Sequence, residues 1–261
     1  MKTRFEGLTD FQTFIKLMKA LNYHRQFTKE SNIQARKIIE EVVAENHKLS
    51  GAYVLFGIVY LMGIPLETCE SSLICFGLAT EAARKALSLD KNSSDAHILT
   101  SAIYLHRKEY EKAIADGKRA IRLNPNNADA YCQFGVTLTL CGRPIEAIQY
   151  FKKAIRLNPI PPAYYLSLLG GAYADSSQYE KAIETWKKCL DHQSNYIYAS
   201  VGLAATYALL DQKIEANAAA LAVLEIDPGF TIDKFLMSIP YKNQADLERA
   251  VQALRKAGFP E

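Results

Sequence analysis

The chain reads as an all-α protein, a stack of antiparallel helix pairs closed by a C-terminal helix, and three observations predict it. Alanines recur at Ala79, Ala113, Ala147, Ala182 and Ala216, spaced by 34, 34, 35 and 34 residues. Seven residues after each stands a second small or modest residue: Ala86, Ala120, Ala154, Cys189 and Val223. No segment shows the strict alternation of apolar and polar residues that a half-buried strand requires. A fixed period of this length marks an array in which each unit buries its apolar face against the next.

The elements follow in order. Leu8 to Arg25 predicts a divergent first helix and Thr28 to Asn46 its partner, with Ala35, Ile39 and Val42 in phase. From Leu49 to Leu66 the chain carries no charge over eighteen positions, about the lower limit for crossing a bilayer. Tyr53, Gly57 and Tyr60 fall on the repeat register there, and Ile64-Pro65 ends the run, so a buried core helix is expected. Gly57 to Ser101 is 44 residues rather than 34, which places a ten-residue insertion around Gly63 to Ser72. Further units begin near Ser94, Ala128, Ala163 and Ile197. Gly135, Gly170 and Ala204, with Ser101 in the same phase, let paired helices approach closely. Tyr131, Phe151 and Trp186 fill the space between pairs. Pro125, Pro159 and Pro228 end second helices, because proline breaks the hydrogen-bond ladder. Ser94-Asp95, Asn127 and Asp211 supply cap and turn chemistry. Asn243 to Ala257 is an amphipathic closing helix with Leu247, Val251 and Leu254 on one face, Asn243 at its start and Gly258 past its end.

These in-phase residues resemble the tetratricopeptide repeat. The resemblance implies a right-handed superhelical solenoid: a divergent helix pair at 1–49, five units at 50–93, 94–127, 128–162, 163–196 and 197–230, and a capping segment at 231–261, all continuous. The two ends carry a narrower resemblance. Asp227-Pro228-Gly229-Phe230, Ile239-Pro240-Tyr241-Lys242, Asp246 to Arg249 and Ala257 to Glu261 are similar to the tail of bacterial class III adenylate/guanylate cyclases that bear such repeats. The front end, from LTDFQTF to VVAEN, is similar to the segment that enters the repeats in those proteins. The resemblance implies the non-catalytic regulatory region of a multidomain signalling protein. It supplies no cyclase domain, which would need two metal-binding aspartates on a strand-rich fold.

Composition narrows the function. Of 261 residues 49% are hydrophobic and 23% charged, enough for a sizeable core. The formal charge of +3 does not call for a nucleic-acid partner. Lys118, Arg119 and Arg122 recur as Lys152, Lys153 and Arg156 and in part as Lys187 and Lys188, but on second helices, where a solvated face suffices. No phosphate-binding loop, nucleophile elbow or zinc-protease signature occurs. The nine-residue interval between His97 and His106 puts them on opposite sides of one helix, with His97 in a core register. No catalysis, cofactor or metal is expected. Cysteines at 69, 75, 132, 141 and 189 show no zinc spacing and read as reduced, mostly buried thiols. MKTRFEGLTD has no apolar run behind its basic residues, so no signal peptide is expected. A cytoplasmic location follows, with the periplasmic part of a membrane-tethered protein as the alternative.

What remains is binding. The family's concave face takes the second, fifth, ninth, twelfth and thirteenth positions of each unit. Here these include Ile98, Leu105, Cys132, Val136, Leu140, Tyr164, Tyr198, Val201 and Leu209. That lining is apolar and small, with Tyr164 and Tyr198 as candidate hot spots. The basic clamp that grips C-terminal carboxylates in chaperone-binding relatives is missing, since Ile98, Ala102, Cys132 and Val136 stand in its place. The expected partner is a protein or peptide with an apolar face, another domain of the same polypeptide, or a second copy of the chain. Packing of the chain's own C-terminal region onto these residues is the competing expectation.

Overall fold

In the computed structural model, residues 10–237 and 239–261 are described, and among them fourteen helices and no strand occur. The predicted start at Leu8 and the N-terminal stretch 1–9, on which the signal-peptide expectation rests, lie outside the described residues. Two compact units divide the chain, Met1–Gln133 and Phe134–Glu261.

The first unit contains α1 (Phe11–His24), α2 (Lys29–Glu45), α3 (Ser50–Gly63), α4 (Ser72–Leu89), α5 (Ser94–His106), α6 (Tyr110–Leu123) and the opening turns of α7 (Ala128–Leu140). Successive helices pair as α1 with α2, α3 with α4 and α5 with α6. The in-phase small residues sit where the pairs touch: Ala35, Ala79, Ala86, Ala113 and Ala120 are each fully buried. Hydroxyls at the starts of first helices satisfy carbonyls at the ends of second helices. Ser50 Oγ donates to Ala86 O at 3.0 Å and Ser94 Oγ to Ala120 O at 2.9 Å. Each acceptor also takes the amide of the residue that ends its helix, Asp90 N on Ala86 O at 2.9 Å and Asn124 N on Ala120 O at 3.1 Å, so the hydroxyl fills the carbonyl's second acceptor position. The uncharged stretch forms α3, fourteen residues with nine of them buried. No helix among the described residues is long and apolar enough to cross a membrane.

The insertion is built differently from the loop expected. The connection 64–71 is longer than its counterpart 107–109, and α4 starts seven residues before Ala79, where α6 starts three before Ala113. Part of the extra length is thus an added turn of helix. Cys75, in that turn, is disulfide-bonded to Cys69. The expectation of reduced thiols is corrected for this pair; Cys132, Cys141 and Cys189 are buried and form no disulfide. A six-residue spacing looks too short for a bridge along one helix. The loop reverses at Glu67, whose φ is 51°, and brings Cys69 back onto the new turn. Polar contacts hold the loop to α2: Arg36 Nη2 donates to Thr68 O at 2.6 Å, and Thr68 Oγ1 donates to Asn32 Oδ1 at 2.6 Å.

The second unit holds the rest of α7, then α8 (Pro144–Leu157), α9 (Ala163–Asp175), α10 (Tyr179–His192), α11 (Ile197–Leu209), α12 (Lys213–Ile226), α13 (Ile232–Met237) and α14 (Gln244–Ala257). Trp186 of α10 is its wedge. The ring is 5% exposed, its Nε1 donates to Ser167 O at 3.0 Å, and it lies between Gly170 of α9 and Gly202 of α11. A Cβ at either glycine would fall within 2.6 Å of the indole. The three helices can share one tryptophan only because those two positions carry no side chain.

Candidate functional site

In each unit the turn from first to second helix passes through a residue with positive φ: Lys108, Gly142, Ser177 and Asp211. These turns recur at the repeat period. In the second unit they line up the ends of α7, α9 and α11, and α14 lies against those ends. Its N-terminal approach is a backbone contact, Lys242 N donating to Leu140 O at 2.9 Å. Asn243 seats its amide on Gly142, whose φ of 77° and bare Cα are both used; a Cβ there would stand 2.3 Å from Nδ2. One and a half turns later Arg249 approaches Asp175 at 3.9 Å and pairs with Asp246 at 3.0 Å. Near the end of the helix Lys256 reaches Asp211 at 2.6 Å.

The apolar side of α14 packs chiefly on α11. Leu254 and Ala257 join Val201, Ala204 and Ala208 of α11 and Ile232 and Leu236 of α13 in one buried cluster, with Leu247 and Val251 partly buried against it. Phe259 packs tilted against Phe230, ring centroids 4.8 Å apart, and Ile232 N donates to Pro260 O at 2.9 Å, which ties the chain end down. Asn243 holds the N-cap position as expected, but its side chain caps no helix amide; it donates to Asp246 Oδ2 at 3.1 Å instead. Gly258 is left-handed, with φ 92°, and stops the helix.

Charge in this corner is poorly screened. Burial raises the Asp175 carboxyl to about 6, with Arg249 pulling it down and Asp246 pushing it up. Burial, together with the carboxylates of Asp175 and Asp246, also pushes the Tyr241 phenol well above its ordinary value.

The nine candidate residues separate by burial. Ile98 and Leu105 are buried in the first unit, where Ile98 packs on Ala120 and Ala130. Cys132 is 3% exposed, and burial holds its thiol well above the ordinary range. Val136, Leu140 and Tyr164 are half-buried, Tyr164 standing edge-on to Tyr165 at 4.8 Å. Val201 is buried in the cluster with α13 and α14. Leu209 is half-buried. Tyr198 is half-buried beside Phe235, ring centroids 5.9 Å apart, and burial pushes its phenol to about 12. The structure therefore brings Tyr198 and Val201 together under the C-terminal segment.

The other sequence candidates resolve as structural groups. His97 is buried, with Nδ1 2.7 Å from Asp116 Oδ1 and Nε2 3.2 Å from Lys91 O. The second-helix cations Lys118, Arg119, Arg122, Lys152, Arg156, Lys187 and Lys188 are exposed. Among the described residues no group of three or more His, Cys, Asp or Glu side chains is placed to hold a metal ion. Sequence reasoning missed the pairing of Asp175 with Arg249 and of Asp211 with Lys256. The signal was there in one respect: Asn243, Arg249 and Lys256 are spaced by six and seven residues along the closing helix.

Comparison with known proteins bears on the fold. A TPR repeat model matches residues 102–142, and a tetratricopeptide repeat model matches residues 128–161. No curated protein matches the chain. Among solved structures, PilW, a widely conserved type IV pilus biogenesis factor, has a TM-score of 0.59 at 22% identity and covers 80% of this chain and 88% of its own. TTC0263, a thermophilic TPR protein of Thermus thermophilus, has a TM-score of 0.56 at 18% identity and covers 80% and 99%. Pseudomonas aeruginosa pilF has a TM-score of 0.53 at 16% identity and covers 86% and 95%. At these identities the likeness is one of fold: the chain carries tetratricopeptide repeats in an all-helical solenoid of paired helices.

Proposed function

We propose that this chain is a non-catalytic protein–protein interaction scaffold that grips an apolar segment of a partner on its first-helix face. The observation that carries the reading is that the first helices of the second unit already hold a peptide segment at their C-terminal ends: residues 239–257 meet α7 through a backbone hydrogen bond, α9 through Arg249, and the end of α11 through Lys256 and an apolar stripe. Val136, Leu140, Tyr164, Tyr198, Val201 and Leu209 are the groove residues assigned in that unit, and Ile98, Leu105 and Cys132 those in the first. A freestanding adaptor and the interaction region of a larger signalling protein both use such a face. For the second, the cyclase-like motifs at the two ends are the support, and the family models and solved structures add nothing to it.

The test is site-specific crosslinking. A photoreactive group at Tyr164 should capture a partner that the same group at exposed Lys118 does not. Tyr164→Ala should then weaken that partner roughly tenfold, as a hot spot of more than about 1 kcal/mol requires. Equal capture from both positions, or unchanged affinity, would sink the reading. The Cys69–Cys75 disulfide supports an oxidising compartment and so the periplasmic alternative over the cytoplasm. Thiol titration of protein isolated without reductant should find three free thiols; five would return the chain to the cytoplasm.

A further inference from the structure

The contacts of α14 have a metric. Asn243, Arg249 and Lys256 each meet the end of a different first helix, and they are six and seven residues apart. At 1.5 Å rise per residue those intervals are about 9 and about 10.5 Å. Packed helices lie about 8–10 Å apart. A helix laid across the array therefore presents one polar side chain to each repeat it crosses, while the residues between them, Leu247, Val251 and Leu254, turn to α11. The ends of α7, α9 and α11 also favour a donor or cation at each station, because the unpaired carbonyls at a helix C-terminus carry partial negative charge. Asp211 adds a full charge at one of the three, and Asp175 faces Arg249 at another.

Few residues of α14 are fully buried, although Leu254 and Ala257 anchor it in the cluster with α11. Of its fourteen residues only Ala253, Leu254 and Ala257 are buried. Both ion pairs involve side chains at least a quarter exposed, and pairs of this kind contribute little each. No side chain caps its N-terminus.

We infer that the ends of α7, α9 and α11 form a graduated receptor for an amphipathic helix, and that α14 is a resident occupant which a helix of the same chemistry on another polypeptide displaces. The partner is thereby specified by class. It is a helix with a small amide side chain that packs on a glycine at i, cations at i+6 and i+13, and an apolar stripe at i+4, i+8 and i+11. This deepens the proposed function and rests on it for the existence of an outside partner.

The experiment uses the full chain and, as probe, a fluorescently labelled synthetic peptide of residues 239–261. In the chain, Arg249→Glu with Lys256→Glu places like charges against Asp175 and Asp211 and loosens the resident helix while leaving the receptor intact. The labelled wild-type peptide should bind this variant at least tenfold more tightly than the unaltered chain, and a peptide carrying the same two reversals should not bind. Equal affinity for the two chains, or equal binding of the two peptides, overturns the inference. Hydrogen exchange on the unaltered chain keeps the question open to test if the variant fails to fold. Amides of α14 should exchange at least tenfold faster than those of α11, and equal protection would make α14 an integral cap. Dimers that exchange α14 between copies without taking up peptide would also overturn it, in favour of a swap. Peptide uptake together with failure of the crosslinking at Tyr164 would leave the receptor standing and remove the outside partner.

Discussion

Replacing Gly202 by alanine tests the wedge that fixes α11 under the C-terminal segment. The new Cβ would stand 2.4 Å from Cε2 and Cζ2 of Trp186 and 2.8 Å from Cη2. Carbon atoms in contact sit about 3.5–4.0 Å apart, so the overlap is about 1 Å. The indole has nowhere to go. Gly170 closes its other side, and its Nε1 is committed to Ser167 O at 3.0 Å. Overpacking of this kind costs about 1–3 kcal/mol, and a ring pinned on both sides belongs at the upper end. Alanine returns about 1 kcal/mol of helix propensity. The net expectation is a loss of about 2 kcal/mol, or roughly 4–8 °C in melting temperature for a chain of this size. Gly171 supplies the control, since a Cβ there meets nothing within 4 Å. Gly171→Ala should therefore stabilise by up to about 1 kcal/mol. Urea titration followed by tryptophan fluorescence reads both, because the single tryptophan is the group perturbed. Gly202→Ala as stable as the parent, or Gly171→Ala as damaging as Gly202→Ala, would refute the wedge.

Two further outcomes follow from the contacts described. Asp175 has its carboxyl raised to about 6 in the closed state, against 3.8 when free, so the closed state binds the proton more tightly. Docking of α14 should consequently strengthen as pH falls through 6 and level off near 4, by at most about 1.4 kcal/mol per pH unit. The groups facing Asp175 are Arg249, Asp246 and Tyr241. Protection factors of α14 amides check this, and Asp175→Asn should give strong protection at every pH; weakening on acidification would contradict the sign. Cys75→Ala removes a bridge closing a loop of six residues' separation, which should destabilise the first unit by about 2 kcal/mol on the chain-entropy account. The same loss should appear when reductant is added to the parent chain, and a reductant-insensitive unfolding midpoint would disprove the bridge.

What could be read from the chain was whatever repeats. Ala79, Ala113, Ala147, Ala182 and Ala216 announce helix pairs because close approach demands a small residue at the same phase every time, and all five are buried. The pairing of Trp186 with Gly170 was legible in part, since both lie on the register. The insertion was legible as a length and not as a shape. Its turn depends on Glu67 adopting a left-handed conformation, as other residues do in the corresponding turns, and on a bridge between Cys69 and Cys75, which has no counterpart in the other units. The positive φ at Lys108, Ser177 and Asp211 was equally hidden, because only the fourth such position, Gly142, carries the residue that such a backbone favours.

The candidate site was harder for a different reason. Its contacts join residues far apart in the chain, Gly142 packed against Asn243 and the ion pairs of Asp175 with Arg249 and Asp211 with Lys256. Each step along this series advances about one repeat on one side and about two helical turns on the other. Those increments differ roughly fivefold in sequence, yet they cover the same distance in space, since a repeat places its next first helix about one helix diameter away and two turns of α-helix rise nearly as far. The repeat period therefore sets the spacing that a crossing helix must carry, and α14 carries it. A single helix that matched only one repeat could be explained by burial of Leu254 and Ala257 alone. Agreement at three successive repeats requires the polar residues to be in register as well, and that register, together with the apolar lining, is what a competing helix would have to reproduce.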